Sequence, residues 1–194
     1  VNSSVVQGSG IGPCAFVYNA SDLHPVNPGN HMPRYADDTY LIVPASNSST
    51  ISNEMTHIER WAETNNLKLN ATKSLEIIVR RPAKRNTAVV PDPPPLPGIK
   101  RVEQLAVLGV ILQSNLKFDQ HIDRIVNRAA QSFYALRVLS SHGMSGASLW
   151  DVCGSTMVSQ MLYASPAWWG FVDETGKKRL QAVIDKAKRR RFLS

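Results

Sequence analysis

The chain has 194 residues, 43% hydrophobic and 19% charged, apolar enough to fold around a core and too mixed for a disordered tail. It carries 22 basic and 15 acidic residues, a net charge of +7, and its isoelectric point is near 9.6. No apolar run approaches the roughly 18–20 residues of a bilayer span and no basic-then-apolar leader opens the chain, so membrane insertion and secretion are not expected.

Cys14 and Cys153 lie far apart and show no metal-ligand spacing with any histidine, which argues against a disulfide framework or a zinc site. Four Asn-x-Ser/Thr triplets, beginning at Asn2, Asn19, Asn47 and Asn70, are read as chance. The chain opens on Val1, so a processed, truncated or partial reading frame is expected.

In chain order, the glycine-punctuated stretch Gln7 to Pro13 predicts a loop, then a short helix ending near Pro25. Residues 26–33, with Pro28, Gly29 and Pro33, read as irregular. Arg34-Tyr35 and Tyr40 to Val43 are β-prone runs flanking Ala36-Asp37-Asp38-Thr39, the pattern of a hairpin with acids at its tip. Ile51, Met55, Ile58, Trp61 and Ala62 recur at helical spacing to about Asn65, with Ser48-Ser49-Thr50 offering N-caps. Leu75 to Val79 reads as a strand. Pro91 to Gly98, with five prolines, predicts a stiff connector, since proline cannot donate to a ladder. β character resumes over Val102 to Leu112.

Thereafter the pattern is helical. Phe118, Ile122, Ile125, Val126, Ala129, Ala130, Phe133, Leu136 and Leu139 keep one face for about six turns. A second, mostly apolar helix is expected from Ser145 to about Leu162, then a turn at Ser165-Pro166. A third helix places Leu180, Val183, Ile184 and Ala187 on one face and basic residues on the other. The fold class is therefore α+β, with an α/β part over residues 1–114 and an all-helical subdomain over residues 115–194. Charge follows this grain: residues 1–78 hold four Lys/Arg against seven Asp/Glu, −3, and residues 79–194 hold eighteen against eight, +10. A basic surface beside an acidic patch suits a nucleic-acid enzyme, the first neutralising phosphates and the second holding metal ions.

Asp37 and Asp38 are the sharpest chemical feature, because adjacent carboxylates in a tight turn repel unless a cation joins them, and a divalent metal is the economical answer. Around them stand Gln7-Gly8-Ser9, Tyr35-Ala36-Asp37-Asp38, Leu67 to Ser74 and Leu108-Gly109-Val110. In order, spacing and residue type this set resembles the reverse transcriptases of non-LTR retrotransposons. The resemblance extends through Leu116 to Ile122 and Leu162 to Trp169, and so covers almost the whole chain. It implies a partial polymerase palm followed by a thumb-like helical subdomain.

By the same resemblance, Asp37 is a catalytic metal-binding acid and Asp38 a second acid of that site. Tyr35 packs beside the primer end, and Gln7 and Gly8 lie along template and incoming nucleotide. Lys73 stands near the departing pyrophosphate, and Leu108, Gly109 and Val110 steady the primer strand. The implied cofactor is Mg²⁺, and the implied partners are an RNA template, a DNA primer and deoxynucleotides, with no membrane. The implied reaction is RNA-directed DNA synthesis by two-metal nucleotidyl transfer to a primer 3′-hydroxyl. Oligomeric state, the RNA copied and any upstream endonuclease are not legible.

His121, one turn into a core-facing helix, reads as structural. Gly8, Gly10 and Gly12 lack the Lys-Ser/Thr of a P-loop. The resemblance also implies an intracellular protein, nuclear or cytoplasmic, and Lys186 to Arg191 could pass for a weak nuclear-import signal. The family also needs an aspartate on a strand ahead of the glutamine-glycine loop, and the only acid between Val1 and the hairpin is Asp22. The expectation is thus a fragment, inactive alone. The alternative is a non-catalytic nucleic-acid-binding remnant; a metal-dependent nuclease finds no clustered histidine or third acid.

Overall fold

The computed structural model describes residues 18, 21–36, 38–80 and 91–193. It is an α+β chain in which helices dominate and the strands form three two-stranded sheets among the described residues. The elements are β1 (Arg34–Tyr35), β2 (Asp38–Thr39), α1 (Ile51–Thr64), β3 (Leu75–Glu76), β4 (Lys100–Arg101), β5 (Gln104–Val107), β6 (Val110–Gln113), α2 (Asp119–Ser141), α3 (Gly146–Cys153), α4 (Ser159–Leu162), α5 (Ser165–Trp168) and α6 (Glu174–Arg189). No helix among the described residues is long and apolar enough to cross a membrane.

Two compact units result. One comprises the described residues up to Leu75 together with 91–100, and the other residues 76–80 and 101–193. The units divide the chain differently from a cut at 114, because the hairpin β5–β6 lays Val110 and Leu112 against the helical core. A strand pair with only one apolar face needs such a partner to be stable.

In the first unit β1 and β2 pair antiparallel, Arg34 with Thr39 and Tyr35 with Asp38. His31 and Ile42 continue the same register, exchanging hydrogen bonds of 3.0 and 2.8 Å. The hairpin therefore starts earlier than the proline-rich sequence suggests, since Pro33 needs only its carbonyl, which accepts from Tyr40 N–H at 3.0 Å. Its connection is also tighter than expected, two residues rather than four, and Ala36 adopts φ 51° there.

Helix α1 matches its periodicity, but Ser48, Ser49 and Thr50 do not cap it. Ala45–Thr50 is a 3₁₀ turn leading straight into it, and the Thr50 hydroxyl donates to Asn47 O at 2.8 Å. The strand expected over 75–79 pairs only at Leu75–Glu76. Its partner β4 is two residues long and follows the prolines and Gly98, so there is little ladder to pair with. Glu76 and Arg101 close this pair with a two-point ion pair at 2.7 and 3.0 Å.

The second unit has one continuous core. His121, Ile122, Ile125, Ala129, Phe133 and Leu136 of α2 are buried. They pack with Leu149, Cys153, Met157, Met161, Trp168, Leu180, Val183 and Ala187. The helix expected from Ser145 to Leu162 is present as α3 and α4 joined through a π-type turn, Gly154–Val158. Ser165-Pro166 opens α5 instead of a plain turn, because proline is favourable at a first helical position.

Asp173 caps α6, its carboxylate accepting from Gly176 N–H at 2.7 Å. A Cβ at Gly176 would lie 2.6 Å from Val172 Cγ1, so this buried helical position has room only for glycine. The remaining expectation, a loop and short helix before Pro25, lies almost wholly outside the described residues.

Candidate active-site and nucleic-acid-binding residues

The acidic hairpin belongs to the first unit. Tyr35 and Asp38 are directly opposed in the ladder, so their side chains share one face, and Tyr40, two residues on, joins them. Tyr35 is 64% exposed and Asp38 is exposed. The Tyr40 hydroxyl reaches Asp38 Oδ2 only at the long limit of a hydrogen bond, 3.5 Å. Asp37, Gln7 and Gly8 lie outside the described residues.

Lys73 is exposed in a turn built by Asn70. The Asn70 carbonyl accepts from the N–H groups of Lys73 and Ser74 at 3.1 and 3.0 Å, and its side-chain oxygen accepts from the Thr72 hydroxyl at 2.7 Å. Local side-chain bonding of this kind replaces helix or ladder and presents the lysine to solvent.

Leu108, Gly109 and Val110 belong to the second unit. Val107 pairs with Val110, so Leu108-Gly109 is the whole loop, with φ 46° and 85°. Two successive positive φ values suit the right-handed twist of a two-residue hairpin, and glycine meets that demand without strain. The tip is held from two sides. The Tyr163 hydroxyl donates to Leu108 O at 2.9 Å, and Arg124 Nη1 donates to Gly109 O at 3.3 Å. Val110 turns inward against the core.

His121 is buried, with Nδ1 accepting from Ile111 N–H at 3.4 Å and edge contacts to Phe118 and Trp168. Burial, with the positive charge of Arg124, holds its pKa below the usual imidazole value. A neutral imidazole ties α2 to the hairpin here. Cys153, buried among apolar side chains, has its thiol pKa raised by that burial, as expected of an inert cysteine.

Among the described residues no three His, Cys, Asp or Glu side chains gather as a metal seat. Asp22 is occupied elsewhere, its carboxylate accepting from Trp61 Nε1 at 2.9 Å. Asp38 is an exposed carboxylate of the hairpin, and Asp37, the other expected metal ligand, lies outside the described residues.

Two features escaped sequence reasoning. Glu54 of α1 is fully buried and accepts from Val26 N–H, Asn27 N–H, the Asn27 amide and the Asn30 amide at 3.1, 2.9, 2.8 and 2.8 Å. Desolvation opposes its charge, yet these donors together hold its pKa below the ordinary value. Glu54 stands between Ile51 and Ile58 on the apolar face of α1, but that spacing does not say which donors would converge on it. The Tyr163 and Arg124 clamp had no sequence signal, because Tyr163 is 55 residues from Leu108. Comparison with protein-family models, curated proteins and solved structures finds no match to this chain.

Proposed function

We propose that this chain is part of an RNA-directed DNA polymerase of the non-LTR retrotransposon kind, contributing an acidic palm hairpin, a primer-steadying hairpin and a basic, thumb-like helical subdomain. The observation that carries the reading is the tight hairpin in which Tyr35 opposes Asp38 across a two-residue connection, inside the ordered motif set running from Gln7 to Val110. Such a hairpin places the Asp38 carboxylate and the exposed Tyr35 ring on one face, the pairing that primer-end chemistry would use.

In this reading Tyr35 packs against the primer end and Asp37 and Asp38 supply negative charge to the metal site of the intact enzyme. Lys73, on its exposed turn, offsets charge on the departing pyrophosphate. Leu108 and Gly109 steady the primer strand from a tip whose carbonyls are already bonded, which fixes its shape before substrate arrives. Mg²⁺ would supply stabilisation of the attacking and leaving oxygens once a further carboxylate completes its seat.

The test is primer extension by the 194-residue chain and by the same chain joined to an upstream fingers-and-palm segment that carries an aspartate on a palm strand. Extension only by the joined chain, abolished by Asp37→Asn, is the expected result. Template-primer binding without extension in either form would favour the second reading, a non-catalytic nucleic-acid-binding module. That reading draws on the +10 charge of residues 79–194, which binds phosphates without any chemistry.

A further inference from the structure

The groove between α2 and α6 concentrates positive charge beside aromatic rings. Ala130, Phe133, Tyr134 and Arg137 recur at three- and four-residue spacing on one face of α2, and with Lys186 and Arg190 of α6 they line a cleft of about 180 Å³. Arg137 lies over the Tyr134 ring, 5.7 Å from its centroid, and Lys186 over the Phe133 ring at 4.8 Å. Phe133 is a core residue, so the Lys186 ammonium is held against the cleft wall.

Arg190 is fixed by the way α6 ends. Arg191 takes φ 60°, Phe192 N–H donates to Ala187 O at 2.9 Å, and the Phe192 ring turns back to lie 6.2 Å from Phe133. This left-handed closure with an apolar anchor makes the basic helix end a shaped surface.

No carboxylate lines the cleft, and among the described residues none of its three cations is in an ion pair. Like charges held together without a counter-charge favour an incoming anion. The size suits one phosphate group. Beside it Tyr134 leaves 65% of its surface exposed, a flat ring with Arg137 over it and room for a second partner. An anion joined to a stackable ring is the chemistry of a nucleotide with its base unpaired. An acidic peptide would match the charge and leave the ring unused, and a duplex keeps its bases stacked inside.

We propose that this cleft binds single-stranded nucleic acid, with Arg137, Lys186 and Arg190 taking a backbone phosphate and Tyr134 stacking on the adjoining base. The site goes beyond the polymerase reading and stands without it, because its binding needs neither metal nor deoxynucleotide.

The experiment titrates the full chain against a labelled twelve-nucleotide oligouridine, a duplex of equal length and a polyglutamate peptide, without metal, across roughly 50 to 200 mM salt. Tyr134→Ala should weaken oligouridine binding about five- to a hundredfold, while Tyr134→Phe keeps it. Arg190→Gln should weaken it about tenfold and lower the salt slope by about 0.7, the loss of one phosphate contact. Arg128→Gln, an exposed cation of α2 outside the cleft, should change affinity less than twofold. All four variants alter exposed side chains, and retained helical circular dichroism confirms that each is folded. Equal loss from Arg128→Gln and Arg190→Gln would reduce the site to diffuse charge and overturn the proposal. So would an equal loss of duplex or polyglutamate binding on Tyr134→Ala, or indifference of oligouridine binding to that change.

Discussion

Asn27 donates twice to Glu54, through its backbone N–H at 2.9 Å and its side-chain amide at 2.8 Å, both to Oε1. With Val26 and Asn30 this surrounds a fully buried carboxylate with neutral donors. Among the described residues no cation completes the set. The arrangement ties α1 to the segment that runs directly into the acidic hairpin at His31, so the loop carrying Pro28 and Gly29 has one fixed course.

Glu54→Gln should therefore destabilise the first unit by about 1–3 kcal/mol, because the new amide turns a donor toward donors and leaves one unsatisfied. Urea titration checks the loss, and amide exchange at Val26 and Asn27 should rise with it. The pH dependence has a definite sign. A carboxylate whose folded pKa lies below its unfolded value contributes fully above the unfolded value, and the contribution is lost as pH falls through the folded one. Wild-type stability should drop on acidification below about pH 4, and the glutamine variant should lack that component.

His121 works in a different window. Its folded pKa is depressed by burial and by Arg124, so the unfolded chain takes up a proton first as pH falls. The second unit should lose stability as pH drops below about 6.5, the unfolded imidazole value. His121→Phe, filling the space beside Phe118 and Trp168, should flatten that part of the profile in thermal melts followed from pH 8 to 5.

The hairpin tip offers a local test. Tyr163→Phe removes one hydrogen bond to Leu108 O and should cost about 0.5–1.5 kcal/mol, seen chiefly as faster amide exchange in β5 and β6. Gly109→Ala should cost about 1–2 kcal/mol through backbone strain at φ 85°, since the new Cβ would meet Tyr163 Cε1 at an ordinary 3.5 Å. If the tip steadies a primer, both changes should also lower extension by the joined chain while leaving template-primer affinity within a few fold.

At the proposed chemical centre, Asp37→Asn in the joined chain should reduce extension by several orders of magnitude while template-primer binding stays nearly unchanged. Lys73→Ala should cost less, about 10²- to 10⁴-fold, as expected of an electrostatic or general-acid helper. Normal extension by Asp37→Asn would remove the catalytic assignment. Robust Mg²⁺-dependent extension by the 194-residue chain itself would show that no further carboxylate is needed.

Nucleic-acid affinity of the whole chain should fall steeply as salt rises from roughly 50 to 200 mM and depend little on sequence. The reason is the +10 of residues 79–194. Salt-insensitive binding in a filter or anisotropy assay would count against phosphate contacts.

The long helices were legible in the sequence because their signal is local. The apolar face of α2, from Ile122 to Leu136, repeats often enough that periodicity alone locates it, and α1 and α6 follow the same rule. The hairpin at Tyr35 and Asp38 was also legible, since β-prone runs flank a short polar turn. Its register was not, because one residue of slip exchanges the two faces, and pairing back to His31 and Ile42 decides it.

Tertiary structure alone decided three further matters. It set Tyr163 against Leu108 and folded Phe192 back on Phe133, contacts between residues that no spacing rule connects. It also turned Glu54, an ordinary surface residue by type, into a buried acceptor, because a charged group can leave water when enough donors converge on it. Helical periodicity needs only neighbours along the chain. Convergence of donors, rings or cations on one point needs segments far apart in sequence to have already met.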